Sequence, residues 1–460
     1  MRAEVFDLLI LGGGINGAGI ARDSALRGVK TALIEKAHFA SGASGRNSQL
    51  VHGGLRYLKY FEFGLVREAL QERATLMRIA PHLVIPLPLL LPFSRWLDRR
   101  FYGMGLWLYD TLAGSENVGR RSYLSHAELQ KLEPEMASQE MHSAALFYDC
   151  RMHAARLLLE NLFDAARHGT AIANYTRAES WKTEGGGFAL TAREQFSGAE
   201  FVIRGRKLVD ARGPWDDSGS VRLVRGSHIV IPRVNRSANA IAHFHADGRI
   251  IFLIPWGPNE SLSLVGTTDV DHLSSADDVR ISADEVRYLQ GIVRGLFPSA
   301  NVEPVAAYSS LRPLVVAGGS ATAASRSHRI WMNGDGILKI AGGKYTTYRS
   351  MAEEACDLLF ADLVGRCCTA EEKLGNAVEG VSDAGMIRHA VVHEMAMRLP
   401  DVLYSTTYWG HENRVSRDFL TPLAKKMGEL LGWNESRIEE EIHGTLNLAR
   451  MPVDSTSRTV

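Results

Sequence analysis

A group of glycines near the start of the chain has the spacing of a phosphate-binding turn. Gly12, Gly14 and Gly17 fit the pattern GxGxxG, and Asn16 lies within it. In this pattern the first glycine permits a tight turn, the second lets the backbone approach a pyrophosphate, and the third lets a helix pack on a strand. Glu35 follows 21 residues after Gly14, where a carboxylate can accept hydrogen bonds from ribose hydroxyls. These residues predict a dinucleotide site for either FAD or NAD.

The segment after Glu35 favours FAD. Residues 40–48 are small and polar, so they offer backbone amides, hydroxyls and one guanidinium to a second phosphate or a flavin ring. The alternative for this segment is a surface loop. The sequence His52-Gly53-Gly54-Leu55-Arg56-Tyr57 follows closely, and its glycine pair indicates close approach of the backbone to a ligand. The cofactor-binding residues predicted in and before this segment are Lys36, Ser44, Arg46, Asn47 and Ser48.

The elements around the glycine turn have the order of a βαβ unit. Val5–Leu11 is mostly apolar and is typical of a buried parallel strand. Residues 18–26 predict a helix that ends at Gly28, and residues 29–34 predict the second strand. A lone GxGxxG is weak evidence, but strand, turn, helix, strand and acid in this order are specific.

The bulk composition excludes few functions. The 460 residues are enough for two or three domains. Lys+Arg and Asp+Glu are both 52, so charge gives no indication of a nucleic-acid partner. None of the four cysteines has the CxxC spacing of a metal site or redox dithiol, so we expect reduced thiols and no metal.

The sequence predicts a cytoplasmic protein, either soluble or peripheral on the cytoplasmic face of a membrane. We find no secretory signal and no run of about 20 apolar residues that could span a bilayer. Residues 83–112 are rich in Leu, Phe and Trp and include Arg95, Arg99 and Arg100. This segment is either a surface that dips into an anionic membrane interface or a buried, proline-interrupted core segment.

Seven short motifs connect the chain to a known family. They occupy residues 12–19, 50–58, 80–83, 226–233, 265–269, 311–314 and 342–349. In this order the chain resembles FAD-dependent glycerol-3-phosphate dehydrogenases, over residues 5–350 and more loosely to about 445. The resemblance implies oxidation of sn-glycerol 3-phosphate to dihydroxyacetone phosphate by hydride transfer to flavin N5. It also implies electron transfer to quinone or another acceptor, with oxygen as the acceptor in oxidases, and a homodimer.

The resemblance also assigns roles to individual residues. Arg56, Arg312 and Lys344 would bind the substrate phosphate and stabilise developing charge. His52 is the best candidate for the base, because a neutral imidazole works near pH 7. The alternative is that His52 only forms a structural hydrogen bond against the flavin. The predicted catalytic residues are His52, Arg56, Arg312 and Lys344, the predicted substrate-binding residues are Arg56, Tyr57, Arg312, Lys344 and Thr346, and the further cofactor-binding residues are Gly213, Gly343, Lys344 and Thr346.

The expected fold class is α/β, with a Rossmann-like FAD-binding domain, an antiparallel β-sheet substrate domain and a C-terminal helical domain. The oxidoreductase region would cover 1–365, with FAD-binding segments at about 1–82, 146–220 and 328–365. The substrate segments would be about 83–145 and 221–327, and the helical domain 366–460. In the helix expected after Lys344, Thr346 and Thr347 are predicted to cap the first turn.

Several positions depart from the family pattern. Gln49 stands where relatives have a lysine, Arg212 replaces a threonine, and His153 and Ala154 replace two carboxylates. The C-terminal helical part also appears shortened. These changes leave two alternatives open. One is an FAD-dependent oxidase or dehydrogenase of another small hydroxy or amino substrate, and the other is a catalytically silent flavoprotein that serves as a binding component.

Overall fold

A computed structural model describes residues 4–137, 141–216, 219, 221–315, 328–361, 365–375, 382–412 and 414–452. The end of the predicted substrate segment, 316–327, lies outside these residues. The described strands are β1 Val5–Leu11, β2 Thr31–Ile34, β3 Leu50–Val51, β4 Val84–Phe93, β5 Ser122–Leu124, β6 Ser143–Met152, β7 Ala171–Ala173, β8 Thr176–Glu184, β9 Gly187–Glu194, β10 Glu200–Asp210, β11 Val221–Pro232, β12 Ala240–Phe244, β13 Ile250–Trp256, β14 Leu262–Gly266, β15 Val270–Asp271, β16 Ala306–Val315, β17 His328–Met332 and β18 Leu338–Gly342. The described α-helices are α1 Ile15–Leu26, α2 Phe63–Ile79, α3 Trp96–Ala113, α4 His126–Leu132, α5 Pro134–Ala137, α6 Ala154–Arg167, α7 Ala283–Leu296, α8 Tyr348–Leu359, α9 Asp383–His393, α10 Leu399–Asp401, α11 Arg417–Leu431 and α12 Glu435–Leu448.

The first sheet has a parallel centre in the order β18-β10-β1-β2-β7. β17 pairs antiparallel with β18 at one edge, and the β8–β9 hairpin extends antiparallel from β10. Except for Val5 at its start, the apolar side chains of β1 are buried, as expected for a parallel strand covered on both faces. The helices α1, α6 and α8 share one core with this sheet, through Ile20, Leu158 and Met351 among others.

The opening βαβ unit follows the prediction closely. β1 has the predicted bounds, α1 includes the predicted helix, and β2 begins two residues later than expected. Gly12 has a φ of 106°, which a residue with a side chain rarely adopts. A Cβ at Gly17 would lie 2.0 Å from the Gly12 carbonyl oxygen, so only glycine lets α1 begin this close to the strand.

The second sheet is mostly antiparallel and runs in the order β15-β11-β14-β13-β12-β4-β6-β3, with β16 paired to β11 and β5 paired to β6. In the sequence, Gly257-Pro258-Asn259 between residues 249–254 and 263–267 predicts a hairpin. This hairpin is confirmed as β13 and β14, joined through Gly257 at a φ of 73°. β6 begins before the boundary drawn at 146 and pairs with β4 and β3. Of the described strands in the predicted FAD-binding segments, β3 and β6 therefore lie in the second sheet.

The segment 83–112 contains both structures that the sequence left open. β4 is a largely buried strand in the second sheet, whereas one face of α3 is open to solvent. Leu97, Phe101, Met104 and Trp107 are 68%, 55%, 65% and 54% exposed. Their spacing of three and four residues places them on one side of the helix. We call this set the α3 face.

The C-terminal helices pack around their own core and also contact the region of the first sheet. Leu403, Leu420 and Met427 are fully buried members of that core. Tyr175 donates a hydrogen bond to Asp401 at 2.7 Å, which joins the region to the first sheet. A parallel sheet, a mostly antiparallel sheet and C-terminal helices confirm the predicted fold class, and the exact domain boundaries stay a prediction.

Candidate functional site

A cavity of about 340 Å³ is lined by residues from both sheets. Its lining includes the glycine turn with the loop after β2, which we call the nucleotide end, and the predicted cations, which we call the substrate end. The predicted site residues that line it are Gly12, Gly14, Asn16, Glu35, Ser44, Asn47, Ser48, His52, Arg56, Tyr57, Gly213, Arg312, Gly343, Lys344 and Thr346. Residues distant in sequence therefore share one space.

The nucleotide end of the cavity is built on the first turn of α1. The first amides of a helix have no carbonyl partner within it, so they suit an anion. The Ile15 amide donates to Ser44 Oγ at 2.9 Å, which holds the loop 40–48 against this turn. A Cβ at Gly14 would meet only Ser44 Oγ, at 3.3 Å, so this position opens into the cavity. These features fit the pyrophosphate of a dinucleotide.

Glu35 lines the same end, and its carboxylate is held by two backbone amides. Gly13 N donates to Oε2 at 2.7 Å and Ala37 N donates to Oε1 at 2.9 Å. Burial raises the pKa of Glu35 above its usual value, although both amides act to lower it. Each oxygen retains a second lone pair that can accept from a ribose hydroxyl.

The loop before β3 is fixed by its own side chains. Asn47 Nδ2 donates to the Ser44 carbonyl at 2.9 Å, and the Gln49 amide donates to Asn47 Oδ1 at 2.8 Å. Ser48 Oγ lies 2.8 Å from His228 Nε2. Ser44, Asn47 and Ser48 line the cavity, so the loop presents a rigid polar wall.

Three predicted cofactor-binding residues, Gly17, Lys36 and Arg46, are not among the residues that line the cavity. Gly17 acts through packing of α1. The Arg46 guanidinium faces the C-terminal region, with its Cζ 5.9 Å from the centre of the Tyr404 ring, and burial lowers its pKa. Lys36 Nζ forms an ion pair with Asp277 at 2.6 Å. A role for Arg46 and Lys36 in cofactor binding stays a prediction.

Three departures from the family pattern are neighbours in space, which the sequence did not indicate. Gln49 Oε1 accepts from the Ala154 amide at 2.9 Å and from Tyr408 OH at 2.7 Å. The His153 ring stacks on Tyr408 with centroids 3.9 Å apart. A neutral network from Gln49, His153 and Tyr408 therefore occupies the positions where the family pattern has a lysine and carboxylates.

Arg312 is held rigidly at the substrate end. Its Nη1 donates to Asp269 Oδ1 at 2.6 Å and to the Thr268 carbonyl at 3.1 Å, and Nη2 donates to Thr267 Oγ1 at 2.7 Å. A Cβ at Gly226 on the paired strand would lie 2.1 Å from Nη2. The guanidinium therefore occupies the space that the missing side chain of Gly226 leaves.

Asp269 is a cavity-lining residue that the sequence reasoning did not single out. Its carboxylate contacts Arg312 and lies 3.9 Å from Arg56 Nη1. Asp269 is the last residue of the motif 265–269. Its position in one of the family motifs was the sequence signal that could have identified it. The side chain is 3% exposed, so this carboxylate sits within the cationic end of the cavity.

Lys344 completes the cationic group. Its Nζ lies 4.2 Å from the centre of the Tyr57 ring, and Arg56 Cζ lies 5.8 Å from the same ring. A cation over an aromatic face is attracted by the ring quadrupole. The ring of Tyr57 and the carboxylate of Asp269 thus bring Arg56, Arg312 and Lys344 into one cluster.

His52 and Thr346 meet where β3 ends. The His52 amide donates to Thr346 Oγ1 at 3.2 Å, and the two residues both line the cavity. The predicted helix cap is wrong in detail. Residues 345–347 form a 3₁₀ turn before α8, and Thr347 makes no side-chain cap, because its Oγ1 donates back to the Lys344 carbonyl at 3.3 Å. This turn positions Thr346 instead.

His228 is the second histidine at the cavity. Burial and the nearby Arg312 lower the pKa of His228 to about 3, so the ring is neutral at physiological pH. It stacks on Tyr308 with centroids 4.9 Å apart. This environment is that of a structural histidine held against the polar loop.

One wall of the substrate end is apolar. Phe147, Ala242, Phe244, Ile250 and Phe252 line it, and Phe244 packs on Tyr102 of α3 at 4.4 Å between ring centroids.

Within the described ranges, no cluster of His, Cys, Asp and Glu could hold a metal ion. Among the helices that the structure describes, none is long and apolar enough to cross a bilayer.

Relatives with curated names are similar over most of this chain. Glycerol-3-phosphate dehydrogenase 2 of Mycobacterium tuberculosis is 36% identical over 371 residues, which are 77% of this chain and 63% of the relative. The mitochondrial glycerol-3-phosphate dehydrogenase of Mus musculus is 37% identical over 394 residues, which are 76% of this chain and 52% of the relative. The chain thus spans about half to two thirds of the length of these relatives.

Solved structures share the fold. The glycerol-3-phosphate dehydrogenase of Bacillus halodurans, complexed with FAD, has a TM-score of 0.79 at 24% identity and covers 100% of this chain and 97% of its own. The L-alpha-glycerophosphate oxidase of Mycoplasma pneumoniae, with FAD bound, has a TM-score of 0.63 at 18% identity and covers 81% of this chain and 100% of its own.

A family model described as FAD dependent oxidoreductase matches residues 7–349. This range contains the glycine turn, the loop before β3 and all of the predicted cations. The cavity's helix N-terminus and its polar loop fit the cofactor that the family name states. The chain belongs to the FAD-dependent oxidoreductase family, and FAD is its cofactor.

Proposed function

We propose that this protein is an FAD-dependent glycerol-3-phosphate dehydrogenase, which oxidises sn-glycerol 3-phosphate to dihydroxyacetone phosphate. The observation that carries the proposal is the cluster of Arg56, Arg312 and Lys344 in the lining of the cavity that also contains the glycine turn. Curated relatives with this name, at 36–37% identity, support the same assignment.

The charge of the cluster suits a phosphate dianion. Three cations and the carboxylate of Asp269 leave two positive charges in this cluster. A phosphate monoester carries close to two negative charges at neutral pH, since its second pKa is about 6. An arginine fork matches two phosphate oxygens at once, so Arg312, which Asp269 orients, is the principal phosphate ligand.

The glycine turn and the loop 40–48 would hold FAD, which would supply the acceptor for the hydride that leaves C2 of the substrate. The chain binds and orients the substrate and takes its hydroxyl proton. In our proposal a ring nitrogen of His52 takes this proton, and Lys344 and Arg56 stabilise the charge that develops on the oxygen. Thr346 holds the backbone of His52 and thereby fixes the position of the ring.

We further propose that electrons pass to quinone at the cytoplasmic face of a membrane. The α3 face carries four exposed apolar side chains, and Arg99 and Arg100 on the same helix are also exposed. An exposed apolar surface with flanking arginines favours an anionic membrane interface. Phe244 connects the apolar wall of the cavity to Tyr102 on α3, and this contact supports our proposal that an apolar acceptor reaches the site beside that face. The homodimer stays a prediction.

Anaerobic reduction of the flavin tests the proposed function. Glycerol 3-phosphate added without oxygen is expected to bleach the visible flavin absorbance of the purified holoprotein. Glycerol is the matched control, because it has the same carbon chain without the phosphate, and it is expected to have little effect.

Each alternative has its own outcome in this experiment. If glycine or another small hydroxy or amino compound bleaches the flavin and glycerol 3-phosphate does not, the protein oxidises that other compound and the proposed substrate is wrong. A flavin that only dithionite reduces would identify a catalytically silent flavoprotein and overturn the proposal.

A further inference from the structure

Three side chains meet on one oxygen beside the nucleotide end of the cavity. Trp215 Nε1 donates to Asp277 Oδ1 at 2.7 Å, and Lys36 Nζ lies 2.6 Å from the same oxygen. Lys36 Nζ also lies 4.3 Å from the centre of the Trp215 ring. We call Lys36, Trp215 and Asp277 the clasp.

The clasp joins parts of the chain that are far apart in sequence. Lys36 follows β2, and Trp215 ends the short turn after β10, so both follow strands of the first sheet. Asp277 lies in the loop between β15 and α7, on the side of the second sheet. The ion pair and the indole hydrogen bond therefore connect loops of the first sheet to a loop of the second sheet at this end of the cavity.

Trp215 forms part of the wall of the cavity itself. A Cβ at Gly42 would lie 3.2 Å from Trp215 Cη2, so the ring covers the loop at this glycine. Trp215, Gly42 and Glu35 all line the cavity, and Glu35 marks the end predicted for the ribose. The position of this wall depends on Asp277, which receives the indole N–H.

We propose that the clasp retains FAD by closing the nucleotide end of the cavity over the bound cofactor. The ring of Trp215 supplies the cover, and Asp277 and Lys36 hold the ring in place. Escape of FAD then requires the clasp to open. The inference concerns retention of FAD and does not depend on which substrate the protein oxidises.

The exposure of the clasp determines the size of its effect. The side chains of Asp277 and Lys36 are 70% and 29% exposed, so salt screens their attraction. An exposed ion pair contributes little free energy, so loss of this pair is expected to change the equilibrium between the closed and open clasp by up to about fivefold. Trp215 contributes buried area as well, so its removal has the larger effect.

The rate of FAD release from the holoprotein tests the clasp. Free flavin that passes an ultrafiltration membrane is measured over time after dilution, with no substrate present. For Asp277→Asn we expect release to be about threefold to fivefold faster than for the natural protein. For Trp215→Ala we expect release to be about tenfold faster or more.

Salt distinguishes the clasp from a general loss of stability. Raising salt from about 50 mM to about 500 mM is expected to speed release from the natural protein, because the Debye length falls from above 10 Å toward a few ångströms. Asp277→Asn removes the charge pair, so its release rate is expected to respond less to salt.

Asp278→Asn is the matched control. Asp278 is the next residue, it is 76% exposed, and its carboxylate lies 3.9 Å from Arg280. We expect it to release FAD at the natural rate with the natural salt response. Natural release and salt response in Asp277→Asn, or equal acceleration in Asp278→Asn, would overturn the proposal. Because no substrate is used, failure of the proposed dehydrogenase activity would leave this result unaffected.

Discussion

The orientation of one guanidinium is the central feature at the scale of residues. Arg312 is bound by acceptors on three consecutive residues, 267–269, and it fills the space beside Gly226. A side chain with several hydrogen bonds loses little further freedom when a ligand binds. Arg312 is therefore already in position for a phosphate.

Removal of this guanidinium is expected to weaken substrate binding. For Arg312→Ala we expect the apparent KM for glycerol 3-phosphate to rise by about tenfold or more, since a charge-assisted contact is lost. Steady-state kinetics with an artificial acceptor measure this change. Arg222→Ala is the control, because Arg222 lies on the neighbouring strand β11, is not among the residues that line the cavity, and pairs with Asp271, whose side chain is 45% exposed. An unchanged KM in Arg312→Ala would remove Arg312 from the site.

A single added methyl group provides an independent test of the same position. For Gly226→Ala the new Cβ would overlap Arg312 Nη2, so the guanidinium must move. We expect a rise in the apparent KM of similar size to that of Arg312→Ala, about tenfold, with FAD still bound. Kinetics together with the flavin content of the purified variant measure both properties. A natural KM with full flavin content would show that the position of Arg312 is not critical.

At the scale of elements, a buried ion pair fastens the C-terminal helices to α6. Arg156 and His389 contact Glu394 Oε1, and Thr406 Oγ1 donates to Oε2 at 2.6 Å. Glu394 is fully buried. Burial alone would raise the pKa of Glu394, but His389, Arg156 and Thr406 together lower it to about 2.

Loss of the Glu394 charge is expected to destabilise the protein strongly. Glu394→Gln leaves the Arg156 cation buried without its charged partner, which costs about 3–5 kcal/mol of the free energy of unfolding. Chemical denaturation followed by tryptophan fluorescence measures this cost. Glu439→Gln is the control, because its pair with Arg417 is more than half exposed and is therefore expected to contribute little to the free energy of unfolding. Equal costs for the two variants would contradict the prediction.

The same carboxyl predicts a pH dependence. Its pKa is about 2 in the folded protein and about 4.3 in an unfolded chain. The folded state therefore binds the proton less readily, so the stabilisation is complete above about pH 4.3 and is lost as the pH falls toward 2. Denaturation measured between pH 6 and pH 3 is expected to show a smaller acid-induced loss for Glu394→Gln than for the natural protein. A loss of equal size would exclude Glu394 as its source.

At the scale of the whole molecule, contacts between aromatic rings link the α3 face to the apolar wall of the cavity. Phe101 on that face is 5.3 Å from the Tyr102 ring, which in turn packs on Phe244. A membrane that covers this face would lie beside the apolar end of the site. Membrane contact and delivery of electrons to a quinone would then use the same surface.

Vesicle binding tests this surface. For the double variant Phe101→Ser and Trp107→Ser we expect binding to anionic vesicles to fall by about tenfold or more, since two large apolar side chains are lost. Co-sedimentation measures binding, and higher salt is expected to weaken it because Arg99 and Arg100 face anionic lipid. Leu273→Ser is the control, because Leu273 is 98% exposed and lies in the loop after β15, outside α3. Equal binding by all three proteins would exclude the α3 face as a membrane contact.

The amino-acid sequence by itself determined those features that depend on local geometry. The βαβ unit was predictable because glycine spacing, apolar runs and the acid at Glu35 act within some 30 residues. The hairpin of β13 and β14 was predictable from the turn at Gly257 for the same reason. The cations were identified through a family resemblance, which residue types alone would not have provided.

Only the tertiary structure decided which side chains share a space. It joined Asp269 to two arginines, assembled Gln49, His153 and Tyr408 into a neutral network, and turned Lys36 toward Asp277. It also divided residues 83–112 between a buried strand and an exposed helix face. Such contacts link positions tens to hundreds of residues apart, and their partners are set by how strands pair and domains pack. No local pattern encodes that packing, because burial and charge pairing arise only when the whole chain is folded.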